Sequence, residues 1–142
     1  MIEKDPAVST SAEPPERLKV LLVEDDTFLE GIAVQVLSHD FDVKPVVNGE
    51  TVLKEANAFM PDVIMLDVVL PGEKSGLDIL DDLRADHAFD SAAVIMFTNL
   101  SDDENKKRAL THGADAYIVK AEFNIGNLGN FIRKYVAIRR AT

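Results

Sequence analysis

Hydrophobic and polar positions follow two rhythms along this chain. Short apolar runs bounded by polar residues occur at 18–23, 42–47, 62–67, 93–98 and 116–120. None shows the period-2 alternation of a half-exposed strand, and continuous apolar character of this length predicts strands covered on both faces. Between the runs the spacing changes to three and four. Leu29, Ile32, Ala33, Val36 and Leu37 share one helical stripe, and Leu53, Ala56 and Met60 another. Leu77, Leu80 and Leu83 form a third, and Ile125, Leu128, Ile132, Tyr135 and Val136 the last. SGLD at 75–78 and SDDE at 101–104 each look like a capping box, with a serine placed to bond the backbone N–H three residues on.

Five strands alternating with five helices predict an α/β fold, a doubly wound parallel sheet with right-handed crossovers. No internal repeat and no second domain interrupts the pattern. The helix expected at 102–112, DDENKKRALTH, stands apart because only Ala109 and Leu110 are clearly apolar. Little buried area should hold it, which makes it either the movable element of the molecule or a merely solvated surface helix. Gly126 and Gly129 fall inside the last helical stripe, where each costs ~1 kcal/mol against alanine. Either that helix frays or something packs closely against it.

Composition narrows the functional classes. A chain of 142 residues, 46% hydrophobic and 28% charged, suits one soluble globular domain. Cysteine is absent, which excludes disulfides and thiolate metal sites. No apolar run approaches the ~18 residues of a membrane span. The first 17 residues hold three of the six prolines and no apolar stretch, so they read as a disordered leader, with the folded domain expected at 18–142. The net charge of −10 argues against direct nucleic-acid binding, which rests on phosphate neutralisation by Lys and Arg. Residues 131–142 nevertheless carry four basic groups and no acid. They are either cations favoured at a helix C-terminus or a partner contact.

The informative chemistry lies where the strands end, since ligands of an open parallel sheet bind at that edge. The first apolar run enters Glu24, Asp25 and Asp26; the third ends in Asp67, the fourth in Thr98 and the fifth in Lys120. A lone carboxylate after a strand is commonly a helix cap, the role open to Asp25 or Asp26. Asp67 precedes VVLP, so no helix starts there for it to cap. Clustered acids repel one another, and Mg²⁺, which takes carboxylates, water and phosphate oxygens, would compensate them. An aspartate beside such an ion can accept a phosphoryl group as an aspartyl phosphate, with a hydroxyl and an ammonium group stabilising its oxygens.

VLLVEDD, PDVIMLDVVLPG, VIMFTN and GADAYIVK, in this order and spacing, resemble the receiver domain of two-component response regulators over residues 17–138. That resemblance implies a flavodoxin-like receiver fold with strand order 2-1-3-4-5. It also implies that Asp67 accepts the phosphoryl group, and that Asp25 binds Mg²⁺ directly with Glu24 assisting through water. The backbone carbonyl of Val69 would complete the protein's share of the metal shell, and Asp26 would not be a direct ligand. Thr98 would be the switch hydroxyl, Lys120 the phosphate contact, and Tyr117 an aromatic that changes rotamer upon activation. A half-buried strand tyrosine is the alternative at that position.

The chain departs from the family pattern in three places. Ala121 follows the lysine where a cis proline is usual; a cis bond before a non-proline residue costs ~2.5–4 kcal/mol, so a trans bond or a strained loop is expected. PGEKSG at 71–76 is one residue longer than the usual turn. Asn99 replaces a small residue and is expected to narrow phosphate access. Val69 and Leu100, two positions past Asp67 and Thr98, are apolar and expected to shield an acyl phosphate from water.

Three other classes fail. No glycine-rich turn follows the first strand for a nucleotide enzyme, no second acid stands two residues past Asp67 for an aspartate phosphatase, and no hydroxyl-rich loop is present for a flavin carrier. His39, His87 and His112 are expected at helix ends rather than on a metal. The resulting expectation is a cytoplasmic signalling switch rather than a turnover enzyme. A sensor histidine kinase, a phosphotransfer protein or a small phosphodonor would charge it. Its output would run through a face made by the fourth helix, fifth strand and fifth helix, near Lys106, Lys107 and Arg133, to a downstream protein or a second copy of itself. A phosphorylation-independent binding module, or the receiver part of a longer regulator, is the alternative.

Overall fold

A computed structural model describes residues 17–142. Except for Arg17, the expected leader lies outside the described residues. Five strands, β1 (Lys19–Val23), β2 (Asp42–Val46), β3 (Val63–Leu66), β4 (Ala93–Thr98) and β5 (Ala116–Val119), form one parallel sheet in the order β2-β1-β3-β4-β5. Five helices connect and follow them: α1 (Thr27–Leu37), α2 (Val52–Phe59), α3 (Gly76–Ala85), α4 (Asp103–Thr111) and α5 (Leu128–Ala141).

The period-2 geometry of the strands divides the core in two. Leu21, Val23, Ile64, Leu66, Val94 and Met96 face one layer, which α2, α3 and α4 cover. Val20, Leu22, Val63, Met65, Ile95 and Phe97 face the other, which α1 and α5 cover. β1, β3 and β4 are therefore buried on both sides, as continuous apolar runs require. β2 differs from that expectation. It is an edge strand, bonded to β1 alone and largely exposed until Val46, and its Pro45 sits where a missing N–H leaves no gap inside the sheet.

Local signals place the helix ends. Ser75 and Asp78 complete the reciprocal capping box of α3. At α4 the cap is Asp102, which accepts from the Asn105 N–H at 3.1 Å, so the start lies one residue later than Ser101. The two glycines resolve separately. Gly126 belongs to a 3₁₀ turn, Ile125–Asn127, that precedes α5. Gly129 lies within α5 against Phe41, where an added Cβ would sit 3.3 Å from the ring. α4 buries only Ala109, while Leu110 is half exposed.

The basic C-terminal stretch is engaged within the molecule. Arg139 pairs with Asp115 at 3.1 Å, and Arg140 bonds Asp62. Among the described residues no helix is long and apolar enough to cross a membrane.

Candidate functional site

All the strand-end groups meet at one edge because the ladders run just past the strands. The Glu24 N–H donates to Val46 O at 3.0 Å and the Asp67 N–H to Val23 O at 3.4 Å, fixing the backbone of both acids on the sheet. Thr98 closes β4 opposite Val119, and Lys120 follows directly. Gly76 secures the site from below. Its N–H donates to Val68 O at 2.7 Å, and α3 crosses the backbone so closely that an added Cβ would lie 1.9 Å from the Asp67 carbonyl oxygen. No side chain other than hydrogen fits that crossing.

The three consecutive acids have three different surroundings. Asp26 caps α1, accepting from Phe28 and Leu29 N–H at 3.0 and 3.1 Å. Asp25 is exposed at the mouth. Glu24 is 1% exposed and accepts the Asp26 N–H through Oε2 at 3.1 Å. Glu24, Asp25 and Asp67 each present one carboxylate oxygen within 4.8 Å of the others, the one such group of acids, histidines or cysteines among the described residues. The histidines stand apart from it. His112 lies 2.8 Å from Asp81 and His87 3.0 Å from Asp90.

Lys120 is the positive centre of this edge. Its Nζ donates to Asp67 Oδ2 at 2.6 Å and lies 2.6 Å from Glu24 Oε1. The second approach is an ion pair without hydrogen-bond alignment, so Glu24 Oε1 is a buried oxygen with no hydrogen-bond donor. Burial alone would lower the Lys120 pKa, but the hydrogen bond to Asp67 and the ion pair with Glu24 outweigh it and hold the ammonium above its ordinary range. For Glu24 burial wins over Lys120 and the Asp26 N–H, and its carboxyl is pushed up. The edge thus retains an imperfectly compensated anionic pocket.

The remaining predicted residues line the rim. Val69 is 58% exposed, and its N–H donates to Asp67 Oδ1 at 3.1 Å. Thr98 is buried, with Oγ1 accepting from the Leu100 N–H at 3.4 Å. Tyr117 is half-buried and its hydroxyl donates to Leu100 O at 2.7 Å. One residue, Leu100, therefore bonds both hydroxyls, Thr98 through its N–H and Tyr117 through its carbonyl in the next peptide unit. Burial, then the charges of Asp102 and Asp67, raises the Tyr117 pKa. The Lys120–Ala121 bond is trans, and Lys120 reaches the site regardless. Asn99 does more than occupy the rim: its Oδ1 accepts the Ala121 N–H at 3.0 Å. Sequence reasoning missed that bond and the Gly76 crossing.

Beyond the rim, α4, β5 and α5 enclose an open groove of about 520 Å³ lined by Lys106, Leu110, Tyr117, Phe123, Phe131 and Tyr135 among others. Phe131 stacks edge-on with Phe123 at 5.3 Å and tilts against Tyr135 at 4.8 Å. Arg133 does not belong there. It shares a face of α5 with Gly129, lies over the Phe41 ring and pairs with Asp40 at 3.2 Å, on the α1 side of the molecule.

A parallel sheet ordered 2-1-3-4-5, with acids, a hydroxyl and a lysine at its carboxyl edge, defines a class: a doubly wound domain with an acidic edge that could hold a metal ion. Residues 20–133 match the response regulator receiver domain, and the chain belongs to that family. It is 31% identical over 104 residues to the chemotaxis protein CheY of Halobacterium salinarum, covering 72% of this chain and 83% of that one. It is 38% identical over 103 residues to the transcriptional regulatory protein CiaR of Streptococcus pneumoniae, covering 72% of this chain but 45% of CiaR. Against the gliding motility regulatory protein of Myxococcus xanthus, at 33% identity, the chain spans 87% of itself and 16% of the relative. Among solved structures, the BeF3-activated N-terminal receiver domain of Klebsiella pneumoniae RstA superposes with a TM-score of 0.75 at 28% identity, over 83% of this chain and 97% of that one. The receiver domain of Francisella response regulator 1452 gives 0.77 at 26% identity, over 86% and 98%.

Proposed function

We propose that this receiver domain is a phospho-accepting switch with Asp67 as the acceptor. The observation that carries the reading is the Asp67 carboxylate itself. It is 6% exposed at a strand end, ion-paired to Lys120 and grouped with Glu24 and Asp25. A carboxylate oxygen of Asp67 attacks phosphorus of a phosphohistidine or of acetyl phosphate. The new O–P bond forms as the N–P or O–P bond to the donor breaks, and imidazole or acetate leaves. Lys120 follows the phosphoryl oxygens as an ammonium point charge, and the Thr98 hydroxyl donates to them.

The donor set fits Mg²⁺. It is all oxygen, it holds three carboxylates, and the one Lys120 ammonium shared by Glu24 and Asp67 leaves negative charge for an ion to offset. Asp25 and Asp67 would hold the ion directly, Glu24 through water, and the Val69 carbonyl would complete the set. The ion would supply charge neutralisation at the phosphoryl oxygens.

Thr98 turning toward a phosphoryl group on Asp67 gives up the Leu100 N–H. The carbonyl of the same residue, in the next peptide unit, accepts the Tyr117 hydroxyl, so a shift of Leu100 carries to the tyrosine and the α4–β5–α5 groove changes shape. α4, with one buried residue, moves at little cost. The groove is the surface offered to a downstream protein or to a second copy of the chain, and a sensor histidine kinase or phosphotransfer protein is the physiological donor. The role is that of a cytoplasmic switch, charged and discharged rather than turning over.

The test is intact mass after incubation with acetyl phosphate, with and without Mg²⁺, for the wild type and Asp67→Asn. A labile, Mg²⁺-dependent gain of one phosphoryl group that the variant lacks is expected. A folded wild type that gains nothing refutes the reading and leaves a phosphorylation-independent binding module.

A further inference from the structure

The backbone ladder between β4 and β5 ends at the pair Thr98 and Val119. The next residue, Lys120, opens a 3₁₀ turn, Lys120–Glu122, that has no side-chain cap and closes on a long bond from the Phe123 N–H to Lys120 O at 3.3 Å. Lys120 therefore leaves the sheet on a weakly held segment. Its ammonium sits on a four-carbon stem, so the two carboxylates beside it cannot by themselves define where its backbone lies. One contact does tie this backbone down, the bond at 3.0 Å from the Ala121 N–H to Asn99 Oδ1. Asn99 directly follows Thr98 and Ala121 directly follows Lys120. The bond thus adds one rung past the last backbone pair, made by a side chain. It requires an N–H at 121, which alanine has and a proline would lack.

We propose that Asn99 is a positioning residue that clips the Lys120 loop to the end of β4 and so holds the ammonium group against Asp67. The inference rests on the phospho-acceptor reading. A phosphoryl group on Asp67 displaces Lys120 from its present oxygen partner, and the ammonium must then re-aim from a fixed backbone. Without the clip the turn samples wider positions and fewer of them present Nζ to the incoming phosphate.

The experiment uses the full chain as wild type, Asn99→Ala, Asn99→Asp, Ala121→Pro and Asn99→Ala/Ala121→Pro, with far-UV dichroism confirming the fold of each. Amide exchange at Ala121 tests the clip. Asn99→Ala should accelerate it on the order of threefold to tenfold, the worth of one partly exposed hydrogen bond, and Asn99→Asp, which keeps an acceptor, should restore protection. Initial rates of phosphoryl gain from acetyl phosphate with Mg²⁺ test the consequence. Asn99→Ala should slow the wild type by a similar factor and change nothing further when Ala121→Pro has already removed the donor. Unaltered exchange at Ala121, or unaltered phosphorylation in Asn99→Ala, overturns the proposal while the phospho-acceptor reading stands. So does an Asn99→Ala effect that persists undiminished beside Ala121→Pro. A wild type that gains no phosphoryl group overturns the reading itself, and the positioning role falls with it.

Discussion

Gly76→Ala places the smallest possible side chain where α3 crosses the backbone just past β3. The new Cβ would meet the Asp67 carbonyl oxygen at 1.9 Å, its carbon at 2.7 Å and Val68 Cα at 2.9 Å, all of them backbone atoms with no rotamer to yield. The two segments must part by about 1 Å or more before the contact is tolerable. That separation breaks the 2.7 Å bond from the Gly76 N–H to Val68 O, worth ~1 kcal/mol. It also pulls on the Ser75–Asp78 capping box, worth ~1 kcal/mol when lost. Leu77, Ile79, Leu80 and Leu83 ride on the same helix and are buried, so shifting them adds ~1–3 kcal/mol. The lower unfolded-state entropy of alanine returns ~0.4–1 kcal/mol. The net expectation is a loss of about 3 kcal/mol.

Urea unfolding reads this directly. With a denaturant slope of ~2 kcal/mol/M, the midpoint should fall by roughly 1.5 M. Gly31→Ala is the internal control. Gly31 lies mid-helix in α1 with nothing within 4 Å of an added Cβ, so the same substitution should stabilise by ~0.5–1 kcal/mol. A Gly76→Ala midpoint within 0.5 M of the wild type, with ~2 kcal/mol/M as the slope, would refute the claim that this crossing admits hydrogen alone.

Lys120→Met should cost about 3 kcal/mol in Mg²⁺-free buffer near neutral pH, because it strands the buried Glu24 and Asp67 charges, and Glu24→Gln in that background should restore part of it; equal midpoints for single and double variants refute the pairing. Mg²⁺ should raise the wild-type midpoint in proportion to the logarithm of its concentration and leave Asp25→Asn unmoved. Asp78, held down by the Ser75 N–H and hydroxyl, and Asp102, held down by the Asn105 side chain and N–H, both have pKa values below the ordinary 3.8. Each therefore contributes stability that is present above 3.8 and lost as pH falls through its depressed value. Asp102→Asn, which keeps an acceptor but cannot titrate there, should flatten the acid limb of the midpoint-versus-pH curve. Val69→Asn and Leu100→Asn should speed loss of the phosphoryl group, measured by intact mass after donor removal, by exposing the acyl phosphate to water; unchanged lifetimes count against the apolar rim.

The fold was legible wherever one physical demand acted alone. β1, β3 and β4 had to be apolar throughout because helices cover both faces, and the runs at 18–23, 62–67 and 93–98 stand out for that reason. β2 misled because Val43, Val46 and Val47 read as a buried run although the strand lies at the edge; Lys44 and Pro45 carried the correct signal. The start of α4 slipped by one residue because Ser101 and Asp102 are both able caps, and only the geometry to Asn105 chooses between them. Arg133 fell on the wrong face although the stripe through Leu128, Ile132 and Val136 is the buried one: a stripe does not say which flank of α5 meets which neighbour, and only the contacts of Arg133 with Phe41 and Asp40 choose.

The site divides along the same line. That Glu24, Asp25, Asp67, Thr98 and Lys120 share an edge follows from each ending an apolar run of a parallel sheet. How Glu24, Asp25 and Asp26 apportion their roles does not, because three adjacent carboxylates are distinguished by what lies across the sheet. Glu24 turns under the edge toward Lys120, Asp25 stays in the mouth, and Asp26 caps α1 through Oδ1. The same reasoning explains Ala121 and Asn99, each a departure from the family pattern when considered singly. Together they make one hydrogen bond, whose donor exists only because residue 121 is not proline and whose acceptor exists only because residue 99 is not small. A substitution at one of them should therefore be felt through the other, and both should be felt at Lys120.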